Sequence, residues 1–188
     1  MKEGLLYQKL PRGKVRCGVC QRRCLINEGQ WGYCQTRVNQ KDKLYTTLYG
    51  IVSSVNLDPI EKKPVFHYKP GSACLSFGTY GCNFRCLFCQ NWQIAHLNGA
   101  SLNLDQEKLL SPQEAVKMAL KSQAQGIALT YNEPAIWLEY SLDVFKLAKK
   151  ENLYTVWVTN GYGSQEAIDL IAPFLDVYRV DLKAFDDR

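Results

Sequence analysis

The sequence predicts an α/β fold: a parallel sheet with crossover helices over residues 71–188, preceded by a small cysteine-rich segment with short strands over residues 1–70. Three observations carry this. From residue 73 onward, strand-like and helix-like runs alternate. Each helix-like run is long enough to cross a sheet and return the chain to a parallel neighbour. The eight cysteines are clustered, four between Cys17 and Cys34 and three between Cys82 and Cys89, with Cys74 apart.

The N-terminal stretch is rich in glycine, lysine and turn signals. "KLYTTLYG" (43–50) and "IVSSVNL" (51–57) read as short strands, the first entered through the polar turn "NQKDK". "DPIEKKP" (58–64) reads as an ordered loop punctuated by Pro59 and Pro64. "ACLSFGTY" (73–80) is the first strand of the alternating region. Ser111 can cap a helix, Pro112 suits its first position and Glu114 completes a capping box. That helix is expected to stop at Gly126. "IALTY" (127–131) follows as a strand. "AIWLEYSLDVFKLAKKEN" (135–152) has helical spacing, with Ile136, Leu138, Tyr140, Val144, Phe145, Leu147 and Ala148 favouring one side. "LYTVWVTN" (153–160) is the next strand, Ser164 can cap "QEAIDLIAPFL" (165–175), and "DVYRVDLK" (176–183) is the last strand.

Composition excludes some functions. Of 188 residues 46% are hydrophobic and 22% charged, an ordinary globular mix with enough apolar material for a core. The net charge of +5 comes from scattered residues, with no basic stripe interleaved with aromatics, which argues against a nucleic-acid partner. No run approaches the ~18 apolar residues of a membrane span. The opening "MKEGLLYQKLPRGK" has no signal-peptide core. A cytoplasmic chain without membrane contact is therefore expected, and cysteines there are metal ligands before they are disulfides.

In sheets of this kind, ligands gather at the carboxyl ends of the strands. Those ends carry "YGCNFRCLFC", "TYNEP", "VTNGY" and "DLKAF". The first places Cys82, Cys86 and Cys89 in C-x3-C-x2-C spacing. Thiolates bind zinc or iron–sulfur clusters. A closed zinc site takes four ligands, so three are one short. A [4Fe–4S] cluster held by three cysteines keeps one iron open for a ligand. A zinc site completed by His96 or Cys74, or three buried free cysteines, are the alternatives at this point.

C-x3-C-x2-C with the aromatic Phe88 before its last cysteine resembles the signature of the radical S-adenosylmethionine (SAM) superfamily. "GCNFRCLFCQNW", "DPIEKKPVFHYKPG", "LTYNEPAIW" and "VTNGY" together resemble its pyruvate formate-lyase-activating-enzyme-like branch, and more narrowly the radical enzyme of the AmmeMemoRadiSam system. The likeness runs over essentially the whole chain. It implies a [4Fe–4S] cluster on Cys82, Cys86 and Cys89 whose open iron is chelated by SAM. It implies reductive cleavage of SAM to a 5′-deoxyadenosyl radical that takes a hydrogen from a substrate the sequence does not identify, a protein among the candidates. A reduced flavodoxin or ferredoxin would be the electron donor. The fold it implies is a partial (β/α) barrel of six units, here truncated after about four, which would leave the fourth strand as an edge. A non-catalytic zinc- or cluster-binding module, or an inactive fragment of such an enzyme, is the rival reading.

The other strand ends then take roles by position. Asn132 and Glu133 stand where the superfamily has a Gly-Gly-Glu-like segment for the methionine amino group; the two glycines are absent, and a plain helix-start turn capped by Asn132 is the alternative. Thr159 and Asn160 could reach ribose hydroxyls, with Gly161 supplying a backbone conformation other residues avoid. Asp181 and Lys183, on one face of the last strand, could serve the cofactor or substrate, or form a salt bridge joined by Arg179. Phe88 belongs to the cofactor-binding set through the signature. Cys17, Cys20, Cys24 and Cys34, in C-x2-C-x3-C-x9-C spacing, can close a four-thiolate site for zinc or a second cluster, with Arg16, Arg22 and Arg23 favouring the thiolates. His67 and His96 read as ordinary surface or loop histidines.

Overall fold

The computed structural model describes residues 1–97 and 109–185. The chain opens with β1 (Lys2–Glu3), β2 (Tyr7–Leu10), β3 (Lys14–Cys17), β4 (Leu25–Ile26), β5 (Arg37–Gln40) and β6 (Lys43–Thr46). These form two small antiparallel sheets, ordered β2-β3-β4 and β1-β6-β5. The β5–β6 hairpin turns at Lys41 and Asp42, both at positive φ (52° and 59°), the geometry that two-residue hairpins favour.

Next come β7 (Ser54–Pro59), β8 (Ala73–Gly78), the short α1 (Trp92–Ala95), α2 (Pro112–Lys121), β9 (Gly126–Leu129), α3 (Leu138–Lys150), β10 (Tyr154–Thr159), α4 (Gln165–Ile171) and β11 (Val177–Val180). The main sheet is ordered β11-β10-β9-β8-β7. β8 to β11 are parallel, as the alternation predicts. β7 adds an antiparallel strand in register Ser54↔Gly78 to Pro59↔Ala73. It lies before residue 70, so the N-terminal segment contributes a strand to the main sheet. The core does the same: Val15, Leu44 and Leu48 pack in one cluster with Phe77, Leu129, Trp137 and Trp157.

Ser111 and Ser164 cap as expected: Ser111 Oγ accepts from Glu114 N in a full capping box, and Ser164 Oγ accepts from Ala167 N. Several boundaries differ: β6, β8 and β9 end earlier than expected, β7 runs on through Asp58 and Pro59 of the expected loop, α4 ends at Ile171, and three further differences bear on the site. α2 stops at Lys121, because Gln123 at φ 55° turns the chain, and Gly126 instead opens β9. A 3-10 turn, Pro134–Trp137, precedes α3, and it is capped by Glu133, not Asn132. The last strand ends at Val180, so Asp181 and Lys183 lie beyond it.

α3 anchors the N-terminal segment. Arg37 Nη1 and Nη2 donate to Glu139 Oε1 and Oε2 at 2.9 and 2.6 Å, with side chains 2% and 1% exposed. Leu5 N donates to Glu139 Oε1 at 2.6 Å, and Arg37 Nη2 to Ile136 O at 3.1 Å. The ring of Trp137 stacks on Tyr140 at 4.3 Å, and its Nε1 donates to Leu48 O at 2.7 Å.

Candidate cofactor site

The loops leaving β8, β9, β10 and β11 surround one cavity of about 650 Å³. Its walls include Cys82, Cys86, Cys89, Phe88, Asn132, Glu133, Thr159, Asn160, Asp181 and Lys183. The main-sheet residues singled out in the sequence are thus brought together at the strand ends.

The cysteine loop is held from two sides. Gly81, at φ 79°, sits against the N-terminal segment: a Cβ there would meet Thr36 Cγ2 at 2.5 Å and Cys34 O at 2.8 Å, so any side chain is excluded. On the other side Asn132 accepts from Thr79 N (3.2 Å) and donates to Gly81 O (2.7 Å). Asn91 Nδ2 reaches across to Tyr131 O at 2.6 Å. Tyr131 itself is at φ 74°, a conformation costly for a bulky residue and concentrated at functional sites. Asn132 therefore positions the loop with both ends of its amide.

Glu133 is 1% exposed and joins two strand ends. Its Oε1 accepts from Ala135 N (2.9 Å) and Thr159 Oγ1 (2.8 Å), and its Oε2 from Asn160 N (2.8 Å). Burial pushes this carboxyl upward, more than those hydrogen bonds draw it down. Asn160 Nδ2 donates to Asn83 Oδ1 at 2.7 Å and lies 4.0 Å from Cys82 Sγ. Burial, reinforced by the Glu133 carboxylate, pushes the Cys82 thiol up to about 12, so metal binding there releases a proton. Phe88 is 70% exposed at the cavity mouth.

Asp181 pairs with Arg179 at 2.9 Å and Lys183 at 3.2 Å, the salt-bridge arrangement weighed above, at the edge of the cavity. His67 is exposed, and neither it nor His96 lines the cavity.

One wall was not singled out. Lys62, Lys63, Pro64 and Tyr131 also line the cavity. Asp58, 3% exposed, accepts from Lys63 Nζ (2.6 Å), Lys62 Nζ (2.9 Å) and Tyr131 OH (2.9 Å). Burial raises the Asp58 carboxyl, but the lysines and Tyr131 outweigh it and hold it well below the usual range. The signal was present in "DPIEKKP", where Lys62 and Lys63 follow Asp58 by four and five residues, but only the fold turns this group toward the strand ends.

Cys17, Cys20, Cys24 and Cys34 line a second, small void with Arg37 and Asn83. Of the arginines expected to favour the thiolates, Arg23 is bidentate to Glu166 at 2.9 and 2.7 Å, and Arg22 Nε donates to Asn83 O while its guanidinium covers the Tyr33 ring at 3.5 Å. Arg16 is exposed. Burial raises the Cys17 thiol to about 12, and the cation that opposes this is Arg37. Cys74 is buried in β8, apart from both groups. Among the described residues no group of three or more His, Cys, Asp or Glu side chains stands ready to hold a metal ion, so neither set of thiols is drawn to coordinating distances. A further cavity of about 680 Å³ lies over the N-terminal hairpin, lined by Leu6, Tyr7, Gln8, Arg16 and Leu25 among others, with no sulfur in its wall.

Comparison with known proteins agrees with this geometry. The family model of the radical SAM superfamily matches residues 77–188. The chain belongs to the radical SAM superfamily. It is 38% identical over 187 residues to an uncharacterized protein of Methanocaldococcus jannaschii, covering all of this chain and 55% of the relative. It is 27% identical over 121 residues to the pyruvate formate-lyase 1-activating enzyme of Escherichia coli K12, covering 63% of this chain and 48% of the relative. The pyruvate formate-lyase-activating enzyme of Clostridium pasteurianum is 27% identical over 107 residues, 57% of this chain and 44% of the relative. The chain spans about half the length of the curated relatives it matches. Among the described residues no helix is long and apolar enough to cross a membrane.

Proposed function

We propose that the chain binds a [4Fe–4S] cluster through Cys82, Cys86 and Cys89 and uses it to cleave SAM reductively. The observation that carries this is the convergence of the three thiols with Asn132, Glu133, Thr159 and Asn160 on one cavity. Its volume lies within the ~300–1,000 Å³ of cofactor sites, and an array of one thiol set and several polar groups suits a cluster beside a polar cofactor. Held by Cys82, Cys86 and Cys89, such a cluster would pass an electron from an external reductant for the reductive cleavage of SAM.

The chain's own residues then bind, orient and shield. Glu133 has acceptor capacity left beyond its three hydrogen bonds and holds the β9 and β10 ends at fixed separation. Asn132 sets the cysteine loop. Asn160, with its amide 4.0 Å from Cys82 Sγ, would serve the ribose hydroxyls, and Thr159 carries its hydroxyl on Glu133. Asp181 and Lys183 present a charged pair to the cofactor or substrate, and Phe88 covers the mouth. Lys62 and Lys63, both held on Asp58, form the opposite wall.

Within the superfamily the reading is an activating-enzyme-like oxidoreductase of the AmmeMemoRadiSam system; it rests on the motifs and N-terminal cysteines of the sequence and on the 27% identity to an activating enzyme over 63% of the chain. The parallel strands β8 to β11 are then the first four units of a partial barrel. A reduced flavodoxin or ferredoxin in the cytoplasm is the proposed donor, and a hydrogen-bearing substrate, a protein among the candidates, the proposed acceptor. The test is anaerobic reconstitution with iron and sulfide, chemical reduction, addition of SAM and quantification of 5′-deoxyadenosine beside a Cys86→Ala control. Product dependent on Cys86 is the expected result. A fully assembled cluster that yields no product would overturn the proposal.

A further inference from the structure

We infer that Cys17, Cys20, Cys24 and Cys34 form a mononuclear four-thiolate site for a single thiophilic divalent ion, zinc by its chemistry, and that this ion braces the cysteine loop of the cofactor site. The inference does not rest on SAM cleavage.

Size decides between one ion and a second cluster. The void shared by the four cysteines is about 10 Å³, room for roughly one water-sized sphere. A tetrahedral ion with metal–sulfur bonds of about 2.3 Å fills such a centre once the thiols close on it. A four-iron cluster with its sulfides does not.

The surroundings are built for thiolates. Arg37 Nε is a buried nitrogen without a hydrogen-bond partner among the described residues, the Asn83 amide faces the Cys20 thiol and favours its thiolate, and both residues line this void. Buried donors are almost always satisfied. Sulfur ligands carrying negative charge would satisfy them, as outer partners orient the ligands of metal sites. Arg37 also brings a positive charge that four thiolates on one divalent ion, net −2, require. Its own partner Glu139 leaves Nε free.

The void adjoins the cofactor loop through Asn83, Arg22, Cys34 and Thr36. Asn83 is the residue after Cys82, and it accepts at Oδ1 from Asn160. Arg22, between Cys20 and Cys24, donates to Asn83 O. Cys34 O and Thr36 close on Gly81. The 17–24 knuckle also pairs with the loop after β10, through Gln21 N to Tyr162 O (3.0 Å), Ser164 N to Val19 O (3.1 Å) and a bridge between Cys20 and Gly163. Fixing the four sulfurs on one ion therefore fixes the backbone on which Cys82 is carried.

The experiment is metal analysis of the full chain purified anaerobically without added iron, for the wild type, for the triple variant Cys82→Ala/Cys86→Ala/Cys89→Ala, and for Cys20→Ser. About one zinc per chain in the first two, and none in Cys20→Ser, is expected. Cobalt(II) exchanged into the triple variant should show thiolate charge-transfer and tetrahedral ligand-field bands, an outcome independent of how Cys20→Ser folds. About four irons with sulfide in the triple variant would replace the ion with a cluster and overturn the inference, and so would no metal at all. Hydrogen exchange of the triple variant, with and without a zinc chelator, tests the bracing. Amides of residues 79–89 should exchange about tenfold or more faster when the ion is removed; unchanged exchange there would overturn that part.

Discussion

The Arg37–Glu139 pair fastens the cysteine-bearing segment to α3, and its removal has a calculable cost. Its atoms lie 2.6 and 2.9 Å apart in a site 1–2% exposed. Among the described residues, Arg37→Met leaves the buried Glu139 carboxylate with the Leu5 N hydrogen bond, and Glu139→Leu leaves the guanidinium with Ile136 O and the neighbouring cysteine sulfurs. Removing one member of a buried pair costs about 3–5 kcal/mol. The double variant removes both charges and orphans two backbone groups, each worth about 1–3 kcal/mol, against a gain in apolar packing. It should therefore lose about 2–4 kcal/mol, where additivity would give about 6–10. Urea unfolding followed by circular dichroism measures all four corners of the cycle, with losses of roughly 2–4 °C in Tm per kcal/mol as a check. Either single variant within about 1 kcal/mol of wild type, or a double equal to the sum of the singles, would refute the reasoning.

Three further outcomes follow from the geometry. Gly81→Ala places a Cβ 2.5 Å from Thr36 Cγ2 at a positive φ; left-handed strain and overpacking together should cost about 2–4 kcal/mol, read as a Tm loss and as reduced iron uptake on reconstitution. Asp58 titrates below the ordinary carboxylate value, so its stabilisation is complete above about pH 4 and is lost as pH falls further through its depressed value; the Tm gap between wild type and Asp58→Asn should be widest near neutrality and narrow below pH 4, and a gap constant down to pH 2 would contradict this. Ser111→Ala breaks a capping box whose residues do not line the cavity and should lower stability by about 0.5–2 kcal/mol without altering cluster assembly.

Much of this was legible in the sequence because the signals are local. The capping residues Ser111 and Ser164, the alternation that gives β8 to β11, and the spacing of Cys82, Cys86 and Cys89 each need only a few neighbouring residues to be read. What escaped depends on distant partners. β7 joins the main sheet because its register matches β8, and a short run beginning "SVNL" does not announce which sheet will take it. Asp58, Lys63 and Tyr131 meet across the cavity from segments more than 60 residues apart. Glu133 was singled out by position, but its hydrogen bonds to Thr159 and Asn160 are made by the sheet. Arg22 lines the void of the four cysteines, as its place among them suggests; the partners Asn83 and Glu166 of Arg22 and Arg23, and the buried Arg37 beside Cys17, come from positions remote in sequence.

The central claim, one open iron beside a SAM site at Cys82, Cys86 and Cys89, is tested most directly by electron paramagnetic resonance of the reduced, reconstituted chain with and without SAM. The account predicts a four-iron signal whose g-values shift when SAM is added, and which is absent from Cys86→Ala. A cluster signal that SAM leaves unchanged, or one that survives replacement of all three cysteines, would contradict it.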